Sequence, residues 1–181
     1  GATVASIKSN GQIKKYHASF KRYVKAKNPI GNFVMNLTGI TEKKDVYLKH
    51  FYDSLTISKI INLNEYNTLC DVGTGAGFPG MVIKILFPNL KVTLVDSLNK
   101  RINFLNEVIK ELGLTNIITV HSRIEEFKGN FDIVTARAVS QLNILLEYSI
   151  PLVNVDGYFV PLKANIEDEI KFDGLVTVKG N

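Results

Sequence analysis

The chain has 181 residues, enough for one domain with a buried core that needs neither a disulfide nor a metal ion to hold it together. Its hydrophobic fraction of 45% is that of an ordinary globular protein, and the single cysteine, Cys70, excludes an intrachain disulfide. Because no apolar run approaches the roughly 18 residues that span a bilayer and no signal-peptide core opens the chain, we expect a soluble cytoplasmic protein that contacts no membrane.

The net charge of +5 is unevenly spread along the chain. No acidic residue precedes Glu42, whereas seven of the 22 basic residues do: Lys8, Lys14, Lys15, Lys21, Arg22, Lys25 and Lys27. The rest of the chain carries 15 basic and 17 acidic side chains and is close to neutral. A basic arm of this kind is typical either of a segment that binds a polyanion or of a solvated tail.

Residues 1–65 form the first predicted unit, a basic N-terminal arm with a helical segment. Aromatic and aliphatic residues spaced three to four apart predict a short amphipathic helix over residues 16–24. An apolar stripe predicts a second helix within residues 42–65, with Thr41 as a candidate for its N-cap.

Residues 66–181 form the second predicted unit, in which short β-branched runs alternate with helix-length segments. The predicted strands are Thr68–Val72, Lys91–Asp96, Ile117–His121, Phe131–Thr135 and Gly157–Leu162. The predicted helices are Phe78–Phe87, Leu98–Leu112 and Leu142–Ile150. This alternation predicts an α/β fold with a doubly wound, mostly parallel sheet of the Rossmann-like kind, covered by helices on both faces.

A glycine-rich loop, CDVGTGAGFPG at residues 70–80, joins the first predicted strand to its helix. Its last six residues match the dinucleotide pattern, but Pro79 withholds a backbone donor and Asp71 puts a negative charge where a pyrophosphate would lie. S-adenosylmethionine has no phosphate, and its sulfonium and ammonium groups favour a nearby carboxylate. We therefore predict S-adenosylmethionine as the cofactor, held by Asp71, Gly73, Gly75 and Gly77. A nucleotide-binding oxidoreductase is the competing interpretation.

Acidic and apolar residues after the next two strands complete the predicted pocket. Asp96 ends the second strand about 20 residues after the loop, where a carboxylate accepts the hydroxyls of an adenosine ribose. Capping of the following helix is a second role, compatible with the first. After the third strand, Ile124 and Glu125 can flank an adenine, although Glu125 and Glu126 are also consistent with plain solvated surface.

Arg137 follows the apolar run of the fourth strand, at the end of the sheet where ligands bind in such folds. A guanidinium there can grip O6 of a guanine, a phosphate or a cofactor carboxylate, and a salt bridge to a neighbouring acid is the structural alternative. His17, His50 and His121 form no pattern with an acid or with the cysteine, so we interpret them as structural. We expect no metal site.

Several phrases together resemble one family: NLT at residues 36–38, HFYDSL at 50–55, DVGTGAGFPG at 71–80, VTLVDSLNKRINFL at 92–105, TARAV at 135–139 and LK at 162–163. They are similar to the bacterial small-subunit rRNA guanine-N7 methyltransferases, also called the ribosomal RNA small subunit methyltransferase G or glucose-inhibited division protein B family. The resemblance covers about residues 35–170. It implies a class I S-adenosylmethionine-dependent methyltransferase that methylates N7 of a guanosine in 16S rRNA of the small ribosomal subunit. We expect a monomer.

The resemblance also implies a role for each residue of the site. Gly73 and Phe78 line the cofactor pocket. Asp96, Ser97 and Leu98 hold the adenosine, and Ile124 and Glu125 flank the adenine. Arg137 lies beside the methionine end of the cofactor, faces the incoming base and is the predicted catalytic residue. Apart from the resemblance, Lys100, Arg101, Arg123 and Lys163 are predicted to form an RNA-binding rim with the N-terminal basic residues, and for Lys100 an ordinary charged helix face is an equal alternative.

The sequence departs from the family in three places. Residues 1–34 are irregular and wholly basic, Ala164 stands where the family commonly has glycine, and the chain stops soon after Val178. These departures bear on the N-terminal RNA contacts and on the completeness of the sheet. A methyltransferase that acts on a small molecule or a protein is therefore the alternative function, and a non-catalytic RNA-binding module is a further one.

Overall fold

A computed structural model of the protein describes residues 52–138, 142–163 and 176–177. The basic arm, the helix predicted over residues 16–24 and the beginning of the helix predicted within residues 42–65 lie outside the described residues. The description of Arg137 and Lys163 covers their backbone only.

Six strands form one sheet in the order β3–β2–β1–β4–β5–β6. The strands are β1 Thr68–Val72, β2 Lys91–Asp96, β3 Ile117–His121, β4 Phe131–Ala138, β5 Val153–Lys163 and β6 Val176–Thr177. The first five are mutually parallel, and β6 pairs antiparallel with β5. The predicted bounds of β1 to β3 are confirmed, whereas β4 and β5 are longer than predicted.

Within the described residues, four helices connect these strands or precede them: α1 Tyr52–Ile60, α2 Gly80–Leu86, α3 Asn99–Leu112 and α4 Leu142–Ser149. Short 3-10 turns follow α1 at Leu63–Glu65 and α4 at Ile150–Leu152. Helix α2 starts two residues later than predicted because Phe78 belongs to the glycine loop and Pro79 is the N-cap. None of the helices that the structure describes is long and apolar enough to cross a membrane.

Both faces of the sheet are buried, as the near-continuous apolar strands predict. Successive residues of one strand enter opposite core clusters, as Ile133 and Val134 do in β4. One cluster joins the sheet to α1, α2 and α3, with Leu105 of α3 fully buried. The other joins it to α4 through Leu145. The doubly wound architecture is therefore confirmed.

Asp132 fastens the amino ends of the central strands. One carboxylate oxygen, Oδ2, accepts the backbone amides of Asn67 and Thr68 at 2.9 Å each, together with the Thr68 hydroxyl at 3.0 Å. The other, Oδ1, accepts Nδ2 of Asn154 at 2.9 Å. Partial burial alone would raise the pKa of Asp132, but these hydrogen bonds outweigh it and hold the pKa below its ordinary value.

Lys84 is buried in α2, which is unusual for a lysine. Its Nζ donates to the carbonyl oxygens of Pro88 and Leu90, both at 2.6 Å. Burial lowers the pKa of Lys84, while the two carbonyls provide acceptors for its ammonium group. The side chain thus closes the turn between α2 and β2 and fixes where β2 begins.

Candidate cofactor-binding cleft

The glycine loop, residues 73–79, joins the carboxyl end of β1 to α2. Gly73, Gly75 and Gly77 have φ values of 66, 59 and 93°, a region that side chains rarely adopt. The conformation matters most at Gly75, whose backbone N–H points across the loop to Oδ2 of Asp96 at 2.9 Å. The loop thereby connects the ends of two adjacent parallel strands, where ligands bind in open α/β sheets.

The carboxylate of Asp71 holds this loop in place through hydrogen bonds. Its Oδ2 accepts the Thr74 hydroxyl at 2.6 Å and the Gly80 amide at 2.9 Å, and its Oδ1 accepts the Thr135 hydroxyl of β4 at 3.0 Å. A Cβ on Gly80 would lie 2.8 Å from Cβ of Asp71 and 2.5 Å from Leu94, so this approach requires glycine. Asp71 is fully buried and does not line the cleft, which differs from the predicted direct contact with a cofactor.

Asp96, at the end of β2, is the carboxylate of the cleft itself. It is 2% exposed, and its Oδ1 accepts the backbone amide of Leu98 at 2.9 Å while Oδ2 accepts that of Gly75. A guanidinium nitrogen of Arg101, Nη1, lies 3.2 Å from Oδ2 and 3.5 Å from Oδ1. Asp96 thus orders the turn before α3 and forms an ion pair with a residue of that helix.

The cleft has a volume of about 530 Å³ and lies over the carboxyl ends of β1 and β2. Six of the residues predicted for the cofactor pocket line it together: Gly73, Asp96, Ser97, Leu98, Ile124 and Glu125. Leu98 is 50% exposed there, which leaves an apolar surface open to a ligand. His121, interpreted as structural, lies with Nε2 2.9 Å from the Ser97 carbonyl oxygen and thereby braces this side of the cleft.

Four further residues line the cleft that the sequence analysis assigned to no site: Val72, Val95, Ser122 and Leu145. Val72 precedes the loop and Val95 precedes Asp96. The position of each valine at the end of its strand could therefore have indicated that it lines the cleft. Leu145 lies on α4, far away in the sequence, and no local pattern indicates its contribution. Thr135, which holds Asp71, is opposite Asp71 in the parallel register of β1 and β4.

Besides Asp71, three residues predicted for the pocket do not line the cleft: Gly75, Gly77 and Phe78. Phe78 is 3% exposed and packs in the core cluster shared by α1, α2 and α3, so its ring does not line the cleft. Gly77 is also buried, and a Cβ there would lie 3.0 Å from both Met81 and Leu105. Its role is close packing of the loop on two helices. Periodicity does not indicate which way Phe78 faces, because it lies in a loop.

The predicted RNA-facing residues do not share one environment. Lys100 is exposed, and the Arg123 side chain is 70% exposed at the cleft edge, 3.8 Å from Oε1 of Glu125. Arg101 instead turns into the cleft towards Asp96. Arg137 and Lys163 lie near the carboxyl ends of β4 and β5, the same edge of the sheet as the cleft, and their side chains lie outside the description.

The comparisons with known proteins agree on one family. The family model described as rRNA small subunit methyltransferase G matches residues 16–175. Proteins named ribosomal RNA small subunit methyltransferase G from Bacillus licheniformis and Bacillus subtilis are 56% and 54% identical over 144 residues. Each alignment covers 76% of this chain and 60% of the relative. This chain therefore spans well under two thirds of the length of these relatives.

A solved structure of a SAM-dependent methyltransferase from Aquifex aeolicus has the same fold. Its TM-score is 0.54 at 21% identity, and the match covers 70% of this chain and 71% of that one. At this identity the likeness concerns the fold alone. The predicted fold class, a Rossmann-like sheet of the class I methyltransferase type, is confirmed.

Proposed function

Because this chain belongs to the rRNA small subunit methyltransferase G family, we propose that it transfers a methyl group from S-adenosylmethionine to N7 of a guanosine in 16S rRNA. One structural observation carries the cofactor assignment: a glycine loop whose amides are bonded within the protein, beside a buried carboxylate at the end of β2. The family membership supports the rRNA substrate and the position of methylation.

The hydrogen bonds of the loop argue against a phosphate ligand. In dinucleotide-binding folds, free N–H groups of this loop receive the pyrophosphate. Here the amides of Gly77 and Phe78 donate to the Thr74 carbonyl, and the Thr74 amide donates to the Val95 carbonyl. The Gly75 amide donates to a carboxylate. A loop arranged in this way suits a ligand without phosphate, and it disfavours the oxidoreductase interpretation.

The cleft fits S-adenosylmethionine in size and in chemistry. Its volume lies within the range of about 300–1,000 Å³ typical of small-molecule sites. Asp96 would accept the ribose hydroxyls, and the apolar side chains of Leu98 and Ile124 would enclose the adenine. A Cβ on Gly73 would meet nothing within 4 Å, so its backbone is open to the methionine portion. Bound there, the cofactor supplies an activated methyl group on a sulfonium.

The chain's own contribution to the reaction is positioning. N7 of guanine has an in-plane lone pair and loses no proton before attack, so no general base is required. Reacting atoms held about 3–3.5 Å apart account for the rate enhancement. We assign Arg137, at the carboxyl end of β4, to orienting the guanine or the methionine carboxylate, since a guanidinium suits O6 of guanine as well as carboxylates.

The RNA-facing surface would comprise Lys100, Arg123 and Lys163 around the cleft, together with the basic N-terminal arm. These charges would bind the phosphate backbone and leave recognition of the base to the cleft. A substrate in the small ribosomal subunit places the enzyme in the bacterial cytoplasm. We further propose that it acts as a monomer without a metal ion.

Methyl transfer to RNA tests this proposal. The chain is incubated with S-adenosylmethionine labelled in its methyl group and with 16S rRNA, or small subunits, from cells that lack this modification. Nucleoside analysis should give a single labelled product, 7-methylguanosine. Asp96→Ala, which we expect to bind the cofactor more weakly, provides the control for cofactor-dependent transfer. Binding of S-adenosylmethionine without label on RNA would contradict the substrate, and tight binding of NADH instead would contradict the cofactor.

A further inference from the structure

The guanidinium of Arg101 occupies the acceptor positions of the Asp96 carboxylate that the hydroxyls of a ribose would need. A carboxylate has about four acceptor positions. In Asp96, two of them receive the amides of Gly75 and Leu98, and the other two face Nη1 of Arg101. Ribose hydroxyls that bind Asp96 must therefore take positions that the guanidinium holds.

The setting of Arg101 is locally unfavourable. It lies in the first turn of α3, which contains no acidic residue, and the amino end of a helix disfavours a positive charge. Its Nε is buried and has no hydrogen-bond partner within the described part of the chain. A buried donor without a partner is destabilising. The positive charge at the amino end of the helix and the buried donor without a partner are both unfavourable locally, and such features are typical of functional positions.

We propose that Arg101 is a displaceable occupant of the ribose subsite, which neutralises Asp96 and gives it up when the cofactor binds. This rests on the proposed function. The side chain of Arg101 is 32% exposed and that of Asp96 only 1%, so the guanidinium has a path to solvent while the carboxylate stays fixed by two backbone amides. Ribose binding then exchanges one set of charge-assisted hydrogen bonds for another.

The competition predicts the sign of a double-mutant cycle. S-adenosylhomocysteine and its 2′,3′-dideoxy analogue are titrated calorimetrically against the wild-type protein and Arg101→Met. Removing the hydroxyls should weaken binding more in Arg101→Met than in the wild type, by about two- to fivefold, the range measured for partly exposed ion pairs. Lys110→Met, at the opposite end of α3, makes the same charge change and should leave the wild-type penalty unchanged.

An equal or smaller hydroxyl penalty in Arg101→Met would overturn the inference and leave the cofactor assignment standing. No binding of S-adenosylhomocysteine to the wild type would overturn the proposed function itself. A crystal structure of the wild type with S-adenosylhomocysteine tests the same point without a variant. The inference requires Nη1 of Arg101 more than 4 Å from both Asp96 oxygens, and a guanidinium still within 3.5 Å beside bound hydroxyls would refute it.

Discussion

At the scale of single residues, two carboxylates of similar sequence context divide the work of the site. Asp71 lies one residue before the end of β1 and Asp96 ends β2, and the sequence analysis assigned both to the cofactor. The structure distinguishes their roles. The carboxylate oxygens of Asp71 accept hydrogen bonds from Thr74, Gly80 and Thr135, whereas Asp96 lines the cleft. Motif position alone does not distinguish a carboxylate that supports a loop from one that faces a ligand.

Replacing Asp96 should therefore affect cofactor binding directly. We expect Asp96→Ala to weaken binding of S-adenosylmethionine by about 10- to 100-fold, since hydrogen bonds to a charged group contribute about 1.5–3 kcal/mol. Calorimetric titration measures the loss. Asp96→Asn retains the size of the side chain and should recover part of the affinity. An Asp96→Ala protein that is folded, by circular dichroism, and binds normally would exclude Asp96 from the ribose site.

Substitution of Arg137 should affect turnover more than cofactor binding. If it orients the base, Arg137→Ala should lower kcat at saturating cofactor by about 10- to 1000-fold, the cost of a lost positioning or charge contact, while the cofactor Kd changes much less. Single-turnover methylation and cofactor titration on the same protein measure the two effects. Arg137→Lys retains the charge without the planar fork and serves as the matched variant. Equal losses in both measurements would contradict the assigned role.

At the scale of helices and strands, the sequence predicts what periodicity determines and misses what depends on packing between distant segments. Strands β1 to β3 begin and end as predicted because apolar β-branched runs define them. Strand β5 is longer than predicted: the register against β4 shifts between Phe131 and Ile133, and Asp156 has a φ of 63° there. The dipeptide Asp156-Gly157 is a local turn signal, but nothing local indicates that one strand continues on both sides of it.

Helix α3 illustrates the same limit for the site. Lys100 and Arg101 are adjacent in the sequence and were both assigned to an RNA-facing rim. Successive residues of a helix point about 100° apart. Lys100 is accordingly exposed, while Arg101 turns towards Asp96 in the cleft. The spacing of five residues between Asp96 and Arg101 crosses a non-helical turn, so the ion pair follows from the structure and not from a sequence rule.

Asp132 predicts a pH-dependent stability at the amino ends of the strands. Its pKa is lowered in the folded protein, so its contribution is fully present above its ordinary unfolded value near pH 4 and is lost as the pH falls through the lower folded value. We expect Asp132→Asn to reduce the free energy of unfolding by about 1 kcal/mol at pH 7, because exposed and partly buried donors lose a charged acceptor at a site that solvent screens. Urea denaturation measures it.

The difference between wild type and Asp132→Asn should shrink as the pH falls from about 4 through the lowered pKa of the folded protein, below which the wild-type carboxylate is protonated in both states. Glu111→Gln, an exposed acid on α3, is the control and should change stability by less than about 0.5 kcal/mol. A constant difference across this range would mean that the charge of Asp132 does not matter and that only its shape does.

At the scale of the whole molecule, the amino ends and the carboxyl ends of the strands have different roles. Asp132 holds the amino ends together. The cleft, the ends of β4 and β5 and the exposed cations Lys100 and Arg123 lie at the carboxyl ends. The sequence predicted this polarity because parallel strands bring their carboxyl ends together. It also predicted a separate basic arm, whose charges are a property of the sequence alone.

That arm should determine the salt dependence of RNA binding while the cleft determines the cofactor. Each phosphate contact to single-stranded RNA contributes about −0.7 to the slope of log K against log salt. Replacing Lys14, Lys15, Lys21 and Arg22 with glutamine should therefore make the slope shallower by up to about 3, and cofactor affinity should stay the same because the residues that line the cleft all lie between Val72 and Leu145. Filter binding to 16S rRNA over a range of salt concentrations measures the slope. Substituting four exposed lysines that do not line the cleft, Lys59, Lys91, Lys110 and Lys128, with glutamine controls for net charge. If both variants lower the slope equally, the positive charge acts through the overall field of the protein and not through the arm.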